Sequence, residues 1–325
     1  MAGFGQTAEA QKEIKATTKA TAKATAKATT KVVTADPFSA LRTEEKKIAG
    51  RIEMTHQFIG IVGHDGTGKS GIVLDSFQKD PNRNGDEELH CLDFDLGASM
   101  LASALHEGDE KIISWNPWTM GITDRTAYDY PATHQRVMTI MKYIHHEITH
   151  NDKQVWGVLI SGVDSWLEIC TNNMRISDLG LASDGIEAAD TRGAGEAKKV
   201  ERQSDWAIRN TRFHQLTALS RDLVRLGVRV FWETHLRVVD FYGKDKSWKP
   251  EWEKKTNNYL PTIIWMESEV EEDEDGKVIS TTYSARFAKC KTNPELHDQK
   301  RKVFVTKTDK SPVWHGLPEL YDGSL

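Results

Sequence analysis

The sequence predicts an α/β domain, a mostly parallel sheet flanked by helices with a β extension toward the C-terminus. Three observations carry that expectation. From about Gln57, apolar strand-like runs alternate with amphipathic helical stretches. A glycine-rich phosphate-loop pattern joins the first such strand to the first helix. The longest helical stretch closes on Gly227 just before another apolar run. Strands separated by helices pair in parallel and are covered on both faces.

In chain order, QFIGIVG (57–63) reads as a buried first strand, and Gly71 to about Gln78 as the helix that follows. ELHCLDFD (88–95) is a second strand. Residues 131–149 set apolar positions at helical spacing, and Pro131 suits a first turn, where its missing N–H leaves no bond unmade. VWGVLISGV (155–163) is a third strand, 204–227 a long helix, and VRVFWETH (228–235) a fourth strand. TTYSARFAK (281–289) and KRKVFVTKT (300–308) extend the sheet. The expected organisation is a basic lead-in over 1–50, the α/β domain over 51–310 and a tail over 311–325.

At 38% hydrophobic the chain can fill a core, and its net charge of −5 is unevenly spread, with six lysines and two glutamates in residues 1–35. KATTKATAKATAKATTK (15–31) has no large apolar residue and buries nothing. It reads either as a solvated tail or as an electrostatic arm for nucleic acid phosphates. No run reaches the ~18 apolar residues of a membrane span, and the N-terminus lacks the apolar centre of a secretory signal. A cytoplasmic protein with no membrane partner is expected. Cys91, Cys170 and Cys290 are far apart and read as reduced thiols.

GHDGTGKS (63–70) completes G-x-x-x-x-G-K-[ST]. A chance match in a chain of this length arises roughly once in a hundred, and the flanking strand and helix are the context the pattern requires. Gly63, Gly66 and Gly68 let the backbone curl so that N–H groups face phosphate oxygens, with His64, Asp65 and Thr67 between them. The helix N-terminus at Lys69, Ser70 and Gly71 adds its positive dipole end. Lys69 is expected at the β- and γ-phosphates and the Ser70 hydroxyl on Mg²⁺, so ATP and Mg²⁺ are the expected ligands. Hydrolysis also needs a carboxylate to orient water and an acid near the metal. Asp93 and Asp95 alternate along a strand end and so face one way, at the edge where such sheets bind ligands. Ordinary strand-end aspartates are the other reading.

As an ordered set over about residues 57–305, these motifs resemble the RecA-like P-loop ATPases, in particular the phage-type RecA-like core proteins. The resemblance implies a prokaryotic or virus-infected cell. It places Asp95 where the family has a catalytic glutamate, one methylene longer. VLISGVDSW (158–166) falls on the strand that ends in the family's metal-side aspartate, but Ser161 stands there, offering a neutral hydroxyl. Asp164 either curls back toward Mg²⁺ or caps the next helix. Thr234 and His235 fall at the γ-phosphate sensor. Lys289 and Lys291 match lysines that reach a neighbouring subunit's nucleotide and stabilise charge on the transferred group, which implies a ring or filament.

The resemblance also implies a DNA-contacting loop at 236–260. Here Phe241, Tyr242, Trp248, Trp252 and Tyr259 interleave with Lys244, Lys246, Lys249, Lys254 and Lys255. Aromatic faces stack on bases and cations meet phosphates, as single-stranded DNA binding requires. Asp240, Asp245, Glu251 and Glu253 weaken that case, and aromatics packed on the protein itself are the alternative. A first DNA-facing loop over 171–204 would offer Arg192, Lys198, Lys199 and Arg202. Three functions follow as expectations: a DNA-recombining or annealing ATPase, a DNA-translocating motor, and a nucleotide-dependent switch or scaffold with little hydrolysis.

Overall fold

Six apolar and glycine residues, FIGIVG, make β1 (Phe58–Gly63), buried along its whole length, and the sheet is organised around it. β5 (Arg229–Phe241) pairs with one side of β1 and β7 (Thr262–Glu272) with the other, both parallel. Beyond β5 lie β4 (Val155–Ser161), β2 (Glu88–Asp93) and β3 (Ile112–Trp115), all parallel. Beyond β7 the pairing turns antiparallel through β8 (Val278–Cys290), β9 (Lys300–Lys307) and β10 (Lys310–Trp314). The result is a ten-stranded, mostly parallel mixed sheet in the order β10-β9-β8-β7-β1-β5-β4-β2-β3, with β6 (Lys244–Pro250) paired to β5. The computed structural model describes residues 58–106, 109–121, 127–179, 203–241, 244–308 and 310–321.

Strand side chains alternate between faces, and both faces are apolar here. One receives Phe58, Val62, Val158, Ile160, Val230 and Trp232, and is covered by α3 (Tyr130–His150), α4 (Val163–Ser177) and α5 (Gln203–Arg225). The other receives Ile59, Ile61, Leu89, Cys91, Leu159 and Phe231, and packs against α1 (Lys69–Lys79) and α2 (Gly97–Leu105). Local signals set the ends of these elements. Asp129 caps α3 by accepting from the Ala132 N–H at 2.9 Å, and Pro131 sits in the first turn. α5 ends at Arg225 with Gly227 in the left-handed region at φ 93°, which glycine adopts without strain. All three cysteines are free and buried. Among the described residues, no helix is long and apolar enough to cross a membrane.

Several boundaries differ from the sequence reading. The stretch at 236–260 is not a loop: β5 runs on to Phe241 and returns as β6, a hairpin standing beyond the Gly63 end of β1. The pairing partners of β5 decide this, because the polar composition there says nothing about a cross-strand ladder. The second strand stops at Asp93, so Asp95 lies past its end. α4 takes in residues 171–177 of the polar connection. Sheet pairing continues past residue 310 to Trp314, and Leu317 and Leu320 are buried. The lysine-rich segment at 15–31, and Arg192, Lys198, Lys199, Arg202 and Tyr242, lie outside the described residues.

Trp252 corrects the nucleic-acid reading most directly. It is only 4% exposed and belongs to the core under α3, α4 and α5, with its indole N–H on Asn257 Oδ1 at 2.9 Å. Gly60 makes room for it, since a Cβ there would come within 2.8 Å of the indole ring. A base cannot stack on a ring that the protein already covers. Trp252→Ala should therefore lower unfolding free energy by about 3–5 kcal/mol in chemical denaturation. A loss under about 1 kcal/mol would sink the core assignment.

Candidate functional site

The site lies at the C-terminal edge of the parallel strands, where β1 passes into α1. Gly66 and Gly68 take left-handed φ values of 70° and 81°, which a side chain would strain. Gly63 is needed for closeness: a Cβ would sit 2.4 Å from Thr67 Oγ1. Thr67 ties the loop by donating to the His64 carbonyl at 2.8 Å. Lys69 folds back over the loop, its Nζ donating to the carbonyls of Gly63 at 3.3 Å and His64 at 3.0 Å. Lys69 and Ser70 form the first turn of α1 behind Gly68, and Gly71 continues it.

Beneath that turn is a residue the sequence reading missed. Ser70 Oγ donates to Glu233 Oε2 at 2.8 Å, and Glu233 is 1% exposed. Its other oxygen, Oε1, is buried with no hydrogen-bond partner. Burial pushes the Glu233 carboxyl up to about 7, against the opposing pull of the Ser70 hydrogen bond and the Lys69 charge. Register explains why Glu233 is here. Ser161 pairs with Asp93 across β4 and β2, and Ile160 pairs with Trp232, so Glu233 stands beside Ser161 on the next strand. Asp93, Ser161 and Glu233 thus form one polar row on the face toward α1. β4 has no carboxylate at Ser161, and Glu233 stands beside it on the next strand. The available signal was a lone acid ending the apolar run VRVFW, on the same face as Phe231.

The other acids are engaged differently. Asp93 is fully buried and accepts from the N–H of Ser99 at 2.7 Å and from the Ser99 hydroxyl, which holds the start of α2. Asp95 lies against α4, with its Oδ1 only 2.5 Å from where a Gly162 Cβ would stand, and receives a long 3.4 Å bond from Ser165. Burial raises its pKa, and the Asp164 charge adds to that. Asp164 does not cap α4, whose N-cap is Gly162 at φ 84°. It instead meets His235: Nδ1 is 2.8 Å from Asp164 Oδ2, and Nε2 is 2.8 Å from Asp65 Oδ1 of the glycine loop. The bond to Asp164 raises the His235 pKa. A carboxylate at each ring nitrogen favours the cationic form. Asp164 Oδ1, like Glu233 Oε1, is buried without a partner.

The remaining expected residues do not converge on the loop within one chain. Thr234 is fully buried and spends its hydroxyl on the Glu251 carbonyl at 2.9 Å. Lys289 pairs at Ile263, toward the start of β7, and so lies at the far edge of the sheet from Gly63. Its Nζ donates to the Leu260 carbonyl at 2.7 Å and to that of Asn257, and Lys291 reaches the Asn258 carbonyl at 3.5 Å. Both lysines hold the carbonyls of the short helical turn Thr256–Tyr259. Of the hairpin residues, Lys244 and Lys246 lie on β6, Trp248 and Lys249 are exposed, and the Trp248 ring stands edge-on to the His64 ring at 4.3 Å. Lys254 and Lys255 are exposed beyond it.

The buried, unpartnered Oε1 of Glu233 and the Ser70 hydroxyl beside that carboxylate are oxygen donors of the kind a hard divalent cation takes, so these two residues fit Mg²⁺. No family model matches the chain, and no curated protein matches its sequence.

The pH dependence follows from Glu233. Its folded-state pKa is raised above the ordinary 4.5, so the stability it contributes is full below about pH 4.5 and is lost as pH rises through about 7. His235, also raised, has the same sign above its ordinary 6.5. In chelator, Glu233→Gln should match the wild type near pH 4.5 and exceed it at pH 8, by on the order of 3 kcal/mol. Denaturation midpoints across that range check this, and parallel curves for the two proteins would refute it.

Proposed function

We propose that the chain binds a nucleoside triphosphate with Mg²⁺ at Gly63–Ser70 and hydrolyses it as a RecA-like P-loop ATPase acting on DNA. The observation that carries this reading is the Ser70–Glu233 contact under a loop already curled through two left-handed glycines. Lys69 is one side-chain swing from the phosphates, its Nζ parked on loop carbonyls. Ser70 and Glu233 would hold Mg²⁺, with Asp164 near its shell. Bound there, the ion would neutralise charge on the β- and γ-phosphates. Its charge also favours the ionised form of Glu233, against the burial that protonates it.

Asp95, Asp164 and His235 sit together past the strand ends, where an attacking water would have to be oriented. In this reading His235 senses the phosphate through Asp65, and Asp95 or Asp164 takes up the water. The hairpin with Lys244, Lys246, Trp248 and Lys249 rises from the same edge and supports a contact with single-stranded DNA, since Trp248 is an exposed ring on a lysine-rich strand. Lys289 and Lys291 face away from this chain's own loop, so any part they take is on a neighbour's nucleotide in a ring or filament.

A second reading, a nucleotide-dependent switch with little hydrolysis, is favoured by Asp95. It is one methylene short of glutamate, so its carboxylate reaches less far toward a water that hydrolysis would have to orient. ATP turnover by the purified protein, with and without single-stranded DNA, separates the two. The ATPase reading expects Mg²⁺-dependent turnover that DNA stimulates and that falls steeply with added salt. Lys69→Ala should abolish it, and Glu233→Ala should reduce metal affinity or turnover by about 10–100-fold. Negligible turnover, with ATP-driven assembly that Lys69→Ala removes, would instead establish the switch. Absence of nucleotide binding defeats both.

A further inference from the structure

α3 ends in HEITH (146–150), which sets two histidines four residues apart around a glutamate. On a helix that spacing brings both imidazoles to one face, as in zinc-dependent peptidases. Packing decides where the face points. Val137, Ile140, Met141 and Ile144 are buried in the core, which turns His146 and His150 to solvent. The two rings lie nearly parallel, with 23° between their planes and centroids 4.3 Å apart.

The surrounding hydrogen bonds fix how His150 carries its proton in the neutral form. The Thr149 hydroxyl has a single hydrogen and donates it to the His145 carbonyl at 2.9 Å, with the His146 carbonyl sharing it at 3.3 Å. The same oxygen lies 2.7 Å from His150 Nδ1, and toward that atom it can only accept. Nδ1 therefore bears the hydrogen, and the His146 carbonyl stands 3.3 Å from it as a second acceptor. Nε2 of His150 is left with the lone pair. Metal-bound histidines are arranged in this way, one nitrogen held by a hydrogen bond and the other turned to the ion. His145, the remaining neighbour, is committed elsewhere, its Nε2 lying 3.1 Å from Asp222 Oδ2 on α5.

Position favours a cation as well. The pair occupies the last turn of a 21-residue helix, at the negative end of its dipole. The charged residues adjoining it along the chain are Glu147 and Asp152, against Lys142 one turn back. We infer that His146 and His150 form a Zn²⁺ site, distinct from the loop at Gly63–Ser70, in which two imidazoles supply half of a tetrahedral shell. Imidazole selects borderline ions such as Zn²⁺ over Mg²⁺. Among the described residues no group of three or more His, Cys, Asp or Glu is placed to hold an ion, so the chain gives two ligands and water completes the shell. This separates the site from a peptidase centre, where zinc has three protein ligands. Glu147 also spends its Oε1 on Asn151 Nδ2 at 2.9 Å.

The test uses full-length protein freed of any affinity tag, stripped of metal and titrated with Zn²⁺ by calorimetry in saturating Mg²⁺. Mg²⁺ fills oxygen sites and leaves imidazoles free. Wild type should take up one more equivalent of Zn²⁺ than either His146→Ala or His150→Ala. Both side chains are exposed, so without zinc the variants should keep the wild-type denaturation midpoint. Thr149→Ala should keep the stoichiometry and weaken affinity on the order of tenfold, because its hydroxyl acts only through the His150 tautomer. Lys69→Ala should bind this Zn²⁺ as wild type does, since the site does not depend on the phosphate reading. Cu²⁺ gives a second readout: electron paramagnetic resonance should show coupling to two imidazoles in wild type and to one in His150→Ala. Equal Zn²⁺ uptake by wild type and both histidine variants overturns the site. An unchanged nitrogen pattern in His150→Ala overturns it too.

Discussion

The Ser70 hydroxyl meets the Glu233 carboxylate beneath the first turn of α1, and much of the remaining architecture serves to hold that contact. A carboxylate with one oxygen unpartnered in a protein interior is costly unless a charge or a bound ion is close. Here the compensating groups arrive from separate elements: Ser70 and Lys69 from the loop after β1, and the neighbouring Ser161 from β4. They meet because β5 lies directly between β1 and β4. The glycine curvature of the loop sets the height of Ser70, and the register of β5 on β1 sets the height of Glu233.

The polar row across the sheet divides its work strand by strand. Asp93 is committed to the start of α2, where backbone and hydroxyl donors use it fully. Glu233 gives one oxygen to Ser70 and leaves the other buried without a hydrogen-bond partner. Past the row, His235 links the glycine loop to the start of α4 through Asp65 and Asp164. These two contacts make His235 a bridge between the loop and the first turn of a helix on the opposite face. The hairpin follows directly from His235 along β5, so it shares that connection.

Aromatic residues illustrate how context sorts one residue type into different roles. Trp252 and Trp232 fill the core under α3, α4 and α5. Trp248 stands exposed beside His64, and Trp314 stacks over the far side of the loop. Composition treated Trp248 and Trp252 alike because both are spaced among lysines. Only Gly60, on a different strand, opens the space that draws Trp252 inward.

The sequence by itself determined the curled glycine loop, the strand and helix around it, and the alternating order that makes a mostly parallel sheet. These are local or periodic properties: glycines for positive φ, a helix N-terminus, and apolar runs of strand and helix period. It also placed Gly227 and Pro131 correctly, since caps are read within a few residues. Tertiary structure alone decided which carboxylate faces Ser70. The positions of Ser70 and Glu233 are 163 residues apart, and nothing in VFWETH reveals that β5 inserts between β1 and β4. β4 ends at Ser161 without a carboxylate, and side chains at one level of a sheet become neighbours only through pairing and register.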